Sequence, residues 1–128
     1  MAYEFDEQIA VSRQDERTWG AELGAGWQVG GGVNGGYLLA VIGNALRHTF
    51  PDKPDPIAVS AYYLSAAAPG AATIDVGVRR EGGSVATAAA DLRQGEDARI
   101  TALATYGDLD RLGDDVRTTA AEPHLPPP

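Results

Sequence analysis

The chain has 128 residues, of which 44% are hydrophobic, enough for one compact domain and too few for two ordinary ones. Its formal net charge of -8, from 18 acidic and 10 basic side chains with no Lys/Arg-rich run, excludes the electrostatic footprint of a nucleic-acid or anionic-membrane binder. Cysteine is absent, which rules out disulfides, thiolate metal sites and a cysteine nucleophile.

The start, Met1-Ala2-Tyr3-Glu4-Phe5-Asp6, lacks the basic and apolar runs of a signal peptide, and the longest apolar run, Tyr37 to Ile42, is too short for a bilayer. A soluble cytoplasmic protein is the expectation. Up to about Leu23 the pattern is mixed, with short strands expected at Ile9-Ala10-Val11 and Thr18-Trp19-Gly20. A glycine-rich loop, Gly24 to Gly36, then opens into a helix that continues to about His48 and is stopped by Pro51. Apolar residues cover nearly every direction of this helix, so the pattern predicts that protein surrounds it.

Beyond the Pro/Asp-rich turn 51–56 the period changes to two over four segments separated by turn signals. The first, Ile57 to Ala67, sets Ile57, Val59, Ala61 and Tyr63 on one face and Ser60, Tyr62 and Leu64 on the other, with a turn at Pro69-Gly70. The second, Thr73 to Arg80, turns back at Glu81-Gly82-Gly83; the third runs from Ser84 to about Gln94, and the fourth holds Ile100, Ala102, Ala104 and Tyr106. Short connections predict that the four form one antiparallel meander. One buried helix followed by such a sheet is an α+β arrangement in which the sheet curls around the helix. From Asp108 the chain is acidic and ends rich in proline, so the expected division is a single domain over 1–108 and a tail or inter-domain linker over 109–128.

Gly30-x-Gly32-x-x-Gly35 formally matches a dinucleotide fingerprint, with Asp52 and Asp55 about twenty residues on. A hairpin meander follows the helix where that fingerprint requires a parallel βαβ unit, so a nicotinamide site is rejected. What the segment offers instead is a helix N-terminus with Asn34 as cap and, at Gly35 and Gly36, amides that no side chain screens. Such a terminus can polarise a carbonyl and hold an oxyanion, each donor contributing about 3 kcal/mol. The plainer alternative is that the paired glycines let the helix pack tightly against a strand. The candidate substrate-binding residues are Asn34, Gly35, Gly36 and Tyr37 at the helix start, with Ser60 and Tyr62 on the following strand; Tyr63 could line the same pocket, and a core position explains these strand aromatics equally well.

A general base is not evident. His48 stands at the far end of the helix, suited to its negative dipole end, and His124 lies in the proline tail. Asp75, Glu81 and Asp91 suit solvated strand or turn positions, Asp91 being the least ordinary of the three. No metal site and no cofactor is expected.

The residues Gly26-Trp27-Gln28-Val29-Gly30-Gly31-Gly32-Val33-Asn34-Gly35-Gly36-Tyr37-Leu38-Leu39-Ala40 are similar to those of the thioesterase-like hotdog proteins related to bacterial acyl-CoA thioesterase II. Ala61-Tyr62-Tyr63-Leu64 with Pro69-Gly70, Arg79-Arg80-Glu81-Gly82-Gly83-Ser84, and Leu92-Arg93-Gln94 with Ala104-Thr105-Tyr106-Gly107 extend the resemblance over nearly the whole chain. It implies a hotdog fold, a thioester substrate such as an acyl-CoA hydrolysed by activated water, and pairing with a second hotdog. The motifs resemble those of the first hotdog of a tandem pair, whose second usually carries the Asp, Thr/Ser and Gln that activate water. By approximate register those roles fall on Gly43 or Asn44, on Pro56 or Ile57, and on Tyr106, none with the required chemistry. The other reading that the resemblance leaves open is a noncatalytic acyl-binding or scaffolding domain; a hotdog hydratase lacks its Asp/His pair.

Overall fold

The structure, a computed structural model, describes residues 2–128. A short helix α1 (Glu4–Gln8) leads into strands β1 (Val11–Arg13) and β2 (Thr18–Leu23), and two-residue strands β3 (Gln28–Val29) and β4 (Gly32–Val33) form a small hairpin. The main helix α2 (Gly35–Thr49) follows, and then β5 (Asp55–Tyr63), β6 (Gly70–Glu81), β7 (Val85–Gln94) and β8 (Asp97–Gly107). Six strands make one antiparallel sheet in the order β1-β2-β6-β7-β8-β5. After Gly107 there is one turn of 3-10 helix at Leu109–Arg111, and residues 112–128 are exposed and without regular structure.

The α2 helix lies on a sheet face whose central side chains are small: Ala86, Ala88 and Ala90 of β7, with Ala102 and Ala104 of β8, are all buried. Larger residues surround this alanine floor, and Ile74, Leu92 and Ile100 meet Val41, Ile42, Ala45 and Leu46 in the core. The helix buries Tyr37, Leu38, Val41, Ile42, Ala45 and Leu46, one continuous stripe. Leu39, Ala40 and Gly43 are only half-buried. The expectation of a helix enclosed on all sides is corrected there, because the sheet ends at β5 and leaves that flank of α2 uncovered.

The four-strand meander is also corrected. Strands β6, β7 and β8 do form hairpins in succession, but β5 pairs with β8 at the sheet edge rather than with β6. The flanks of β6 are taken by β2 and β7, so β5 cannot pair with β6 and lies against β8 instead. Residues 64–69 therefore cross the end of the sheet instead of making a hairpin turn. Side chains strap that crossover in place: the Gln94 amide donates to the carbonyls of Ala68 and Ala71 and accepts from Ala68 N–H, while Arg99 reaches Ser65 Oγ at 3.1 Å.

Early in the chain, α1 stands where no element was expected and β1 begins two residues later than the anticipated Ile9 start. The acidic first turn of α1, with Glu4, Asp6 and Glu7, complements its dipole but shows no apolar period in sequence.

The alanine floor makes a measurable demand. Ala88→Leu drives a larger side chain into the helix–sheet contact and is expected to cost about 1–3 kcal/mol in denaturant unfolding. Ala89→Leu, on the opposite face of the same strand, should stay within about 0.5 kcal/mol of the parent.

Candidate functional site

The β3–β4 hairpin turns at Gly30, whose φ of 64° falls in the region that glycine adopts readily. It delivers the chain to the α2 start at the crossover end of the sheet, where Val33 N–H donates to Ala67 O at 3.0 Å. Four amides at a helix start lack intrahelical acceptors. Here Asn34 N–H donates to Trp27 O at 2.8 Å, and Tyr37 N–H donates to Asn34 Oδ1 at 3.0 Å. Among the described residues no partner is found for the amides of Gly35 and Gly36. Two adjacent unengaged donors at the positive end of a fifteen-residue helix can offer hydrogen bonds to negative charge.

The two glycines differ in role. A Cβ at Gly35 would stand 2.9 Å from Tyr63 Cε1, and Tyr63 Oη donates to Gly35 O at 2.9 Å, so the plainer packing explanation holds for Gly35. Gly36 is exposed, and a Cβ there would meet only Asn34 Oδ1, at 3.2 Å.

Gly36 lies where two cavities meet. One, of about 290 Å³, is lined by Phe5, Trp27, Gln28, Val29, Asn34 and Gly36 among others. The second, of about 310 Å³, follows the open flank of α2 toward β5 and is lined by Leu39, Ala40, Gly43, Leu46, Val59 and Tyr106 with Gly36, Ile42 and Pro56. Neither lining includes a carboxylate, histidine, lysine or arginine.

Of the sequence-predicted residues, Asn34, Gly35 and Gly36 come together as expected. Tyr37 is buried: its hydroxyl donates to Gln8 O at 2.8 Å and accepts from Gly24 N–H at 3.2 Å, and its ring stacks on Trp27 at 5.2 Å. That hydroxyl fastens α1 to the helix start and is fully engaged, while Tyr37 still lines the first of the two cavities. Ser60 and Tyr62 are opposite Leu103 and Thr101 on the outer face of the sheet, away from α2. The period-two alternation of β5 puts Val59, Ala61 and Tyr63 on the helix side instead, so of the three strand candidates only Tyr63 reaches the helix start. Trp27 and Phe5, edge-to-face at 5.5 Å, are cavity residues that sequence reasoning did not single out as ligand-facing.

The positions to which register assigned catalytic roles are brought together: Gly43, Pro56 and Tyr106 line one cavity from three elements. Asn44 points elsewhere, donating to Ile9 O at 2.9 Å. Tyr106 is buried, donates to Gly43 O at 3.3 Å, and burial holds its phenol above the usual tyrosine range, so it stays neutral at neutral pH. The remaining candidates are structural or remote. Asp75 accepts from Thr18 Oγ1 and from Arg93 Nε on the outer face, opposite Asp91, and His48 stacks on Trp19 at 5.7 Å. Asp52 pairs with Lys53 at 2.9 Å and Asp55 accepts Leu109 N–H, which leaves neither at a nucleotide site. Among the described residues no cluster of three metal-ligating side chains is present, and no helix is long and apolar enough to cross a membrane.

A curled antiparallel sheet holding one helix, with a glycine-rich helix start at the sheet end, defines a hotdog domain. Residues 23–107 match the family model described as the acyl-CoA thioesterase N-terminal domain, and the chain belongs to that family. It is similar to a candidate thioesterase II of Thermobifida fusca, with a TM-score of 0.84 and 29% identity over 96% of this chain and 45% of that one. A hotdog protein of unknown function from Alicyclobacillus acidocaldarius shares the fold, with a TM-score of 0.81 and 23% identity, covering 100% of this chain and 47% of that one. An uncharacterized protein of Mycobacterium tuberculosis is 32% identical over 72% of this chain and 33% of its own length. The chain thus spans about one third of the length of the curated relatives it matches and about half of the two solved structures just described.

Two measurements check this geometry. Gly35→Ala and Tyr63→Ala should be non-additive in unfolding free energy, with about 0.5–3 kcal/mol of coupling, because the added methyl collides with the ring that the second change removes. Because the folded-state pKa of Tyr106 is raised, the unfolded chain releases this proton first above pH about 10. Native stability should therefore fall with rising pH from that point, and the Tyr106→Phe variant should show a shallower decline.

Proposed function

We propose that this chain is an acyl-CoA thioesterase-like hotdog acting as the N-terminal half of a double hotdog, with residues 109–128 as the tail or link beyond the domain. The observation that carries this reading is the meeting of two cavities at Gly36, beside the two unengaged amides. A thioester carbonyl seated there directs its oxygen to Gly35 and Gly36 N–H. Its acyl chain enters the apolar cavity on the α2–β5 side, and its pantetheine arm follows the Trp27 side. Water attacks the carbonyl carbon, the oxyanion forms against the amides, and collapse expels the thiolate, which takes up a proton.

The residues around Gly36 supply the binding and polarising parts of this reaction only. No group lining either cavity can deprotonate water at neutral pH, which favours activation from a paired hotdog. The same observation supports a second reading, a noncatalytic acyl-binding domain.

Pairing has a natural place at β5. This nine-residue edge strand has one free ladder and leaves Ile57, Val59, Tyr62 and Tyr63 exposed, with Asp55 as its only charge, whereas the other edge, β1, has three residues. Such an edge is a template for continuing the sheet with a second copy or a separately encoded hotdog. A strictly monomeric species by light scattering, alone and with a candidate partner, would count against it.

Titrating the purified chain with acyl-CoAs is expected to give saturable binding with little or no turnover. Gly36→Val, which obstructs the junction of the cavities, should weaken binding at least tenfold. Absence of saturable binding to any acyl-CoA overturns the proposal, and rapid turnover by the isolated chain overturns the division of labour.

A further inference from the structure

The groove between α2 and β5 has dimensions that bear on which thioesters fit. We infer that it is an acyl-length ruler admitting straight chains of up to about twelve carbons, with Gly43 and Tyr106 setting the passage at about the eighth. This inference rests on the thioester reading of the helix start.

The occupant follows from the lining. Eight of the nine lining residues are aliphatic or glycine, and the ninth, Tyr106, has its hydroxyl engaged with Gly43 O. No charged side chain lines it, so the groove suits a hydrocarbon and rejects an ionised group. It is continuous at Gly36 with the amides proposed to hold the carbonyl, which makes it the path for whatever hydrocarbon that carbonyl bears.

Two independent measures give the same length. A cavity of about 150 Å³ accepts a six-carbon benzene, about 25 Å³ per carbon. By that ratio the groove, at about 310 Å³, holds about twelve carbons. Along the axis, Gly36 and Leu46 bound the groove and lie ten residues apart on α2, about 15 Å at helical rise. An extended chain advances about 1.25 Å per carbon for bonds of about 1.5 Å at near-tetrahedral angles, again about twelve carbons.

Gly43 lies seven residues from Gly36, about 10 Å along the helix, or about eight carbons from the carbonyl. A Cβ at Gly43 would stand 3.2 Å from Tyr106 Oη, so glycine permits the close approach in which that hydroxyl donates to Gly43 O, and any side chain here would crowd the phenol and the passage beside it. A branched side chain at this point would shut the far third of the groove.

The test is calorimetric titration of the whole chain with saturated acyl-CoAs of four to sixteen carbons, below micelle-forming concentrations. Affinity should rise by up to about fourfold per methylene until about twelve carbons and then level off or fall. Gly43→Val should move the break to about eight carbons, leaving four- and six-carbon ligands within twofold of the parent. Thermal melts establish that the variant is folded; if it is not, Val59→Phe, which narrows the groove from the exposed strand side, should cut the twelve-carbon affinity at least tenfold and spare the four-carbon one. Binding with no break, or with a break that neither variant moves, overturns the ruler alone, as does length-independent binding by a dimer whose second copy fills the groove. Failure to bind any acyl-CoA overturns the thioester reading and the ruler together.

Discussion

The close approach of α2 to an alanine-floored sheet is the constraint on which the remaining geometry depends. Ala86, Ala88 and Ala90 let the helix settle low on β7, where Val41, Ile42 and Leu46 reach the flanking Ile74, Leu92 and Ile100. Packing at this density leaves little freedom for axial sliding. The helix start is therefore held over the crossover end of the sheet, within reach of Ala67 O and Tyr63 Oη. Three strap residues secure that end from the other side: Gln94 and Arg99 bind the crossover, and Tyr63 binds the first helical turn. The two open amides are thus preorganised by contacts that do not themselves touch a ligand.

Preorganisation explains why the site can be strong at one task and empty of another. Fixed amide dipoles at a partly desolvated helix end interact with developing negative charge more strongly than water does, because they need not reorient. Proton transfer has a different requirement, a group that titrates near the working pH, and the cavities around Gly36 offer only tyrosines with engaged hydroxyls. Burial moves Tyr106 further from that range. The three positions where register expected an acid, a hydroxyl and an amide do converge, yet glycine, proline and tyrosine make the convergence apolar. The same framework that would support hydrolysis with polar residues presents an apolar lining with these, as the proposed acyl binding requires.

Local chemistry was legible in the sequence, and long-range pairing was not. The Asn34 cap, the helix from the glycines to the Pro51 stop, and the alternation in β6, β7 and β8 each reflect physics acting within a few residues, and each is present in the structure. Pro69-Gly70 carries the same turn signal whether the next strand is adjacent or three strands away, so the crossover had no local signature. That strand order, in turn, decided which flank of α2 stayed open. On β5 the period predicted correctly that Ser60 and Tyr62 share a face, but a period of two cannot say which face meets the helix. The pairings with Leu103 and Thr101 settle that they face outward. Tyr37 was legible only in part: it lines the cavity on the Trp27 side, and only the arrival of α1 and Gly24 shows its hydroxyl to be occupied.

The exposed edge and the open groove are one feature seen twice. Strand β5 forms one wall of the groove through Val59 and Pro56, and the same strand carries the free ladder at which the proposed pairing would extend the sheet. A hotdog added there would stand beside the uncovered flank of α2 and roof the groove, removing water from the hydrocarbon path. Hydrophobic transfer of an acyl chain is more favourable into a roofed groove than into one open to solvent, by an amount that grows with the apolar area newly shielded. Pairing and acyl binding would then be thermodynamically coupled, and the coupling must be reciprocal: whatever factor pairing adds to acyl affinity, the acyl group adds to pairing. On the proposed reading, a single partner at β5 would supply both the wall that the groove lacks and the base that its lining lacks.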